Sequence, residues 1–128
     1  MKVLYVDDDA DDVYIFKDAI EKIDPTIECD FAHNAQDALF KLKSQRLPDI
    51  IFLDINMPEI NGKHFLGTLK SNPLLEHIPI VMYSTSENKV DSKECEELGA
   101  CAYIVKAASF QKICEQLEII IHDVRCKK

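Results

Sequence analysis

Ile50-Ile51-Phe52-Leu53 runs without a polar break and ends on Asp54. An unbroken apolar run this short, with β-branched and aromatic residues, suits a strand covered on both faces, as in a parallel sheet. Three further runs share the pattern: Val3-Leu4-Tyr5-Val6, Ile78-Pro79-Ile80-Val81-Met82-Tyr83 and Tyr103-Ile104-Val105, with a weaker fifth from Ile27 to Ala32. Between them the apolar period becomes helical. Val13, Phe16, Ile20 and Ile23 form one stripe, Ala35, Ala38, Leu39 and Leu42 a second, and Phe65, Leu66 and Leu69 a third. The clearest helix carries Ile113, Leu117, Ile120, Ile121 and Val124 behind Ser109 as N-cap. The stretch from Glu87 to Leu98 is the poorest, offering the core Val90, Cys95 and Leu98 before Gly99 closes it. A helix so thinly anchored shifts at low cost. Strand and helix alternate five times, which predicts an α/β, doubly wound, five-stranded parallel sheet with helices on both faces. Pro25, Pro48, Pro58, Pro73 and Pro79 fall at or near the boundaries, where a missing N–H does least harm.

The 128 residues predict one domain over 1–128, and with 47% apolar residues its core needs neither disulfide nor structural metal. Against 15 basic side chains stand 23 acidic ones, a net charge of −8 that excludes general binding to nucleic acid or anionic membranes. No apolar run nears the roughly 20 residues of a membrane span. The opening MKVLYVDDD enters acids where a signal peptide stays apolar, so a cytoplasmic protein is expected. The five cysteines are odd in number and lack a C-x-x-C, so they read as small hydrophobes. The four histidines show no ligand spacing.

In open parallel sheets ligands bind beyond the carboxyl ends of the strands. After Val6 come Asp7, Asp8 and Asp9; after Leu53, Asp54; after Tyr83, Ser84 and Thr85; after Val105, Lys106. Carboxylates crowded at that edge repel by about 4 kcal/mol per pair at 4 Å and an effective dielectric of 20, so positive charge must compensate. Lys106 is one source and Mg²⁺ another, since that ion takes one or two carboxylates, several waters and phosphate oxygens. A carboxylate held among a cation, an ammonium and a hydroxyl is a plausible phosphoryl acceptor. Asp11 and Asp12 read as dipole and surface residues. An EF-hand reading of the acid run fails, because Asp12 stands where the loop needs Gly.

These residues resemble the receiver domains of two-component response regulators, and specifically the stand-alone, chemotaxis-receiver-like kind. The resemblance rests on VLYVDDD, PDIIFLDINMPEINGKHFL, IPIVMYSTS and GACAYIVKA, in that order over almost the whole chain. It implies a flavodoxin-like sheet in order 2-1-3-4-5 and phosphorylation of Asp54 by a sensor histidine kinase or a His-containing phosphotransfer protein. It further implies Mg²⁺ held by Asp7, Asp8, Asp54 and the backbone carbonyl of Asn56. Lys106 then pairs with the phosphoryl oxygens, Ser84 is the switch hydroxyl and Tyr103 the aromatic that changes rotamer on activation. Signalling passes to a downstream protein target through the surface of helix four, strand five and helix five, the protein being a monomer or weak homodimer. The receiver is no enzyme beyond slow autodephosphorylation, and the few residues after helix five leave no output domain.

Two positions depart from the family pattern. Ala107 follows Lys106 where the family has Pro, and a cis bond there would cost roughly 3–4 kcal/mol, so a trans peptide is expected. Thr85 replaces a small residue and narrows access to Asp54. The stretch SNPLLEHIP is similar to that of single-domain regulators that include partners of phytochrome-like kinases. The rival readings are an unphosphorylated pseudo-receiver, a haloacid-dehalogenase-type phosphohydrolase with Asp7 as nucleophile and Asp9 as acid/base, and a flavin protein. The last would need a hydroxyl- and Gly-rich loop where this chain has acids.

Overall fold

The structure, a computed structural model, describes residues 1–44, 46–57, 61–85 and 87–126; Pro58 lies outside the described residues. In chain order the elements are β1 (Lys2–Val6), α1 (Ala10–Ile23), β2 (Glu28–Ala32), α2 (Ala35–Ser44), β3 (Ile50–Leu53), α3 (Gly62–Lys70), β4 (Ile80–Ser84), α4 (Lys89–Glu97), β5 (Ala102–Val105) and α5 (Phe110–Cys126). The strands are parallel in the order β2-β1-β3-β4-β5, as expected. Alternate side chains of each strand point to opposite faces. Leu4, Val6, Ile51, Leu53, Ile80 and Met82 therefore meet Ala38, Leu42, Phe65, Leu66, Leu69 and Cys95 of α2, α3 and α4. Val3, Tyr5, Ile50, Phe52, Val81 and Tyr83 meet Phe16, Ala19 and Ile20 of α1 and Ile113, Leu117, Ile121 and Val124 of α5. On that second face Phe16 stacks on Tyr5 with centroids 4.3 Å apart and meets Phe52 and Tyr83 edge-on.

The three central strands are buried at every position. The weakly apolar β2 sits at the edge of the sheet and begins at Glu28 rather than Ile27. Likewise β4 begins at Ile80: Pro79 has no N–H to give the ladder, although its carbonyl accepts from Ile51 N–H at 3.0 Å. Ser109 accepts from Lys112 N–H, as an N-cap should, and Gly99 closes α4 at φ +105°. There the N–H groups of Gly99 and Ala100 return to the carbonyls of Glu96 and Cys95, which consumes two otherwise orphan acceptors. In the loop from α3 to β4, Leu75 and Ile78 are buried, and Lys70 Nζ bonds the Glu76 and Ile78 carbonyls at 2.9 and 3.1 Å.

Helix α4 spans Lys89–Glu97, shorter at both ends than the apolar pattern suggested, and Cys95 is its one buried residue. Val90 is 60% exposed, so it does not anchor the helix. What α4 lacks in apolar contact it gains in charge. Lys63 of α3 reaches across to Asp91 and, at 2.8 Å, to Glu94, and these two bonds hold its ammonium above the usual lysine range. Lys63→Ala should therefore loosen α4 selectively. Amide hydrogen exchange in α4 is expected to rise several-fold while that of β1 and β3 stays unchanged; equal exchange in the two proteins would mean that the Lys63 pairs do not hold the helix.

Candidate functional site: an acidic cluster at the carboxyl edge of the sheet

Strand register builds the site. Val6 pairs with Leu53, so the next residues of the two chains, Asp7 and Asp54, emerge side by side; Ser84 pairs with Val105, which sets Lys106 beside the end of β4. Backbone bonds secure the junction: Asp7 N–H to the Ala32 carbonyl at 3.0 Å, Asp54 N–H to the Val6 carbonyl at 3.1 Å and Lys106 N–H to the Ser84 carbonyl at 2.8 Å. The carboxylates of Asp7, Asp8 and Asp54 converge with one oxygen from each within 4.8 Å of the others. Asp7 and Ser84 are fully buried, Asp54 nearly so, and Asp8 is exposed.

Asp7 is heavily engaged. Its Oδ1 accepts from Asp9 N–H at 3.0 Å, and its Oδ2 from the Tyr5 hydroxyl and from Lys106 Nζ at 2.8 Å. A second carboxylate, Asp12 Oδ2, takes Lys106 at 2.9 Å. The sequence reading of Asp12 as a surface residue is thus corrected: it stands on the first turn of α1, half-buried and paired across the site. Asp9 turns away to accept from the N–H groups of Asp11 and Asp12 and so caps α1. That engagement leaves neither Asp7 nor Asp9 placed as a free nucleophile or acid/base, which counts against the phosphohydrolase reading.

The electrostatics follow from this crowding. Burial, first, and then the charges of Asp7 and Asp8 push the Asp54 carboxyl up to about 6 against the pull of Lys106 and the Asn56 backbone N–H. Burial alone would lower Lys106, yet its hydrogen bonds to Asp7 and Asp12 outweigh that and keep it above the ordinary lysine value. Burial and the neighbouring Asp7 charge drive the Tyr5 hydroxyl far up, so it stays a donor at every physiological pH. Three carboxylates this close repel by roughly 3–4 kcal/mol per pair at an effective dielectric of 20, and Lys106 alone cannot offset that. The all-oxygen donor set fits a hard divalent cation.

The other expected residues are placed as follows. Asn56 is exposed two residues past Asp54, Thr85 is exposed, and Tyr103 is half-buried on β5 against the α2/α3/α4 face, lining a small cleft with Ser92, Glu96 and Cys101. The Lys106–Ala107 peptide is trans. Sequence reasoning missed Tyr5 and Gln116. Tyr5 looked like one more core aromatic, and only the inward turn of its hydroxyl onto Asp7 reveals it. Gln116 of α5 bonds the Val105 carbonyl at 2.8 Å and so fixes the strand end that aims Lys106. No helix among the described residues is long and apolar enough to cross a membrane.

Comparison with known proteins bears on this arrangement. A protein-glutamate methylesterase/protein-glutamine glutaminase of Treponema denticola is 40% identical over 111 residues, 83% of this chain, although the match spans only 28% of that protein. The polar-differentiation response regulator DivK of Brucella anthropi is 30% identical over 121 residues, covering 94% of this chain and 96% of DivK. Among solved structures, the phosphorylated cyanobacterial phytochrome response regulator RcpA superposes with a TM-score of 0.85 at 28% identity, over 93% of this chain and 89% of that one. The Mn²⁺-bound response regulator Rcp1 does so with a TM-score of 0.82 at 26% identity, over 93% and 90%. The model of the response regulator receiver domain matches residues 3–118, so the sheet order, the acids at its carboxyl edge and the sequence all agree that this chain belongs to the response regulator receiver domains.

Proposed function

We propose that Asp54 is the phosphoryl acceptor of this receiver, and that a phosphohistidine of a sensor histidine kinase or phosphotransfer protein is the donor. The observation that carries this reading is a carboxylate buried at a strand end, with Asp7 and Asp8 within ligand distance and the Lys106 ammonium paired to the neighbouring Asp7. An oxygen of Asp54 attacks the phosphorus, the phosphorus–nitrogen bond of the donor breaks with its electron pair leaving on the imidazole, and an acyl phosphate remains. Asp7, Asp8, Asp54 and the Asn56 carbonyl would hold Mg²⁺, which neutralises phosphoryl charge when bound. Lys106 supplies the second positive charge. The Ser84 hydroxyl donates to a phosphoryl oxygen, which draws the end of β4 inward and lets Tyr103 follow. Because α4 is held by so little, the surface it shares with β5 and α5 is where a downstream protein reads the change. The Mn²⁺-bound Rcp1 and the phosphorylated RcpA support both halves of this reading.

Intact-protein mass after incubation with acetyl phosphate tests it. One phosphoryl adduct is expected in Mg²⁺ and none after chelation, with borohydride reduction locating it on the peptide that carries Asp54. A protein that takes no phosphoryl group in Mg²⁺ would be an interaction module alone.

A further inference from the structure

Lys106 is held on the α1 side of the site. Among the described residues its ion pairs run to Asp7 and Asp12 and not to Asp54, and its ammonium lies 5.9 Å from the Tyr5 ring centroid and 5.4 Å from that of Tyr83. Ala107 follows it, so no proline ring fixes the neighbouring φ, and the aim of the ammonium is left to its partners. Of the two carboxylates, Asp7 belongs to the three-carboxylate cluster that could hold a cation. Asp12 stands outside that cluster, its side chain 34% exposed, with the Lys106 ammonium as its ion-pair partner. Once Asp54 carries a phosphoryl group, Asp12 and the phosphoryl oxygens compete for one ammonium.

We propose that Asp12 is a positioning residue acting through Lys106: it keeps the ammonium against α1 in the unphosphorylated protein and so opposes its transfer to the phosphoryl group on Asp54. This rests on the reading of Asp54 as acceptor and adds what limits the reaction there. With acetyl phosphate as donor, an Asp54 oxygen attacks the phosphorus, the bond to the acetate oxygen breaks, and acetate leaves with the electron pair. The charge that develops on the transferring group needs Lys106 at that moment, and each phosphorylation must first break the bond to Asp12. A half-buried charge-assisted bond of this kind slows the step by a modest factor.

The test compares rates of adduct formation in Mg²⁺ and acetyl phosphate for the wild type, Asp12→Asn, Asp12→Glu, Lys106→Ala and Asp12→Asn with Lys106→Ala. Asp12→Asn is expected to be about three- to tenfold faster than wild type, Asp12→Glu within about twofold of it, and the gain from Asp12→Asn to vanish without Lys106. A metal-free measurement accompanies it. Acetylation of the Lys106 amine by an N-hydroxysuccinimide ester, read by peptide mass, should run at least about twofold faster in Asp12→Asn, because the amine is less tied. Equal or slower phosphorylation in Asp12→Asn, a gain that persists without Lys106, or unchanged acetylation would each overturn the proposal. Absence of any adduct in the wild type would overturn the reading of Asp54 and the proposal with it, whereas adducts forming at equal rates overturn the proposal alone.

Discussion

Asp54→Asn is expected to form no phosphoryl adduct and, near pH 7 without divalent cations, to be more stable than the wild type. An amide oxygen is too poor a nucleophile to replace the carboxylate, so adduct formation should fall below detection under conditions that modify the wild type fully. The stability gain comes from the cost of burying the charge. The folded Asp54 carboxyl titrates near about 6 against an ordinary value of 3.8, so the folded protein binds more protons than the unfolded chain between those limits. The contribution of Asp54 to stability therefore falls as pH rises from about 4 to 6 and is flat above, by linkage. Two pH units correspond to roughly 3 kcal/mol as an upper figure, and Asn escapes that cost. A gain of about 1–3 kcal/mol, or roughly 3–10 °C in Tm, is expected at pH 7, shrinking towards pH 4. Thermal unfolding across that range decides it: an Asn variant with the same Tm and the same pH slope would show that Asp54 bears no desolvation cost.

Gly62→Ala is expected to unseat the site from below. A Cβ at Gly62 would stand 2.2 Å from the Asp54 carbonyl oxygen, 2.6 Å from Ile55 Cα and 3.0 Å from the Asp54 carbonyl carbon. All three are backbone atoms and none can swing aside. The Gly62 N–H also bonds the Ile55 carbonyl at 2.8 Å, so relieving the clash means parting the start of α3 from the end of β3. The cost is about 3 kcal/mol or more, and the displacement of Asp54 should slow phosphoryl uptake at least about tenfold. Gly67→Ala provides the contrast within the same helix. A Cβ there meets nothing within 4 Å, and a helix-interior alanine should stabilise by about 0.5–1 kcal/mol with uptake unchanged. Denaturant unfolding of the two variants that gave the same change would show that the loop yields freely at Gly62.

Why so much was legible in the sequence is visible at particular residues. Ile50 to Leu53 and Val3 to Val6 are buried on both faces, and burial on both faces is what erases the alternation an exposed strand would show. Phe65, Leu66 and Leu69 all reach the core as their spacing required. The carboxyl-edge rule then brought Asp7, Asp8, Asp54, Ser84 and Lys106 to one end of the sheet before any coordinate was known. What spacing could not reveal was partnership. Asp9 and Asp12 are both acids at the start of a helix, yet one caps its own backbone and the other crosses to Lys106, a residue 94 positions away. Phe16 and Ile20 form the buried centre of the expected stripe, Val13 and Ile23 lie at its margin, and Ala19, too small to stand out in an apolar pattern, joins the core of a helix that packs on α5 as well as on the sheet.

The single buried attachment of α4 gives the protein an internal clock. Of the cysteines, Cys95 is the one fully shielded, and burial raises its thiol above the ordinary value, so in the closed molecule it is chemically silent. Its sulfur becomes reactive only while α4 is lifted from the sheet. The lifetime of that one thiol towards an alkylating reagent would therefore report how often α4 opens.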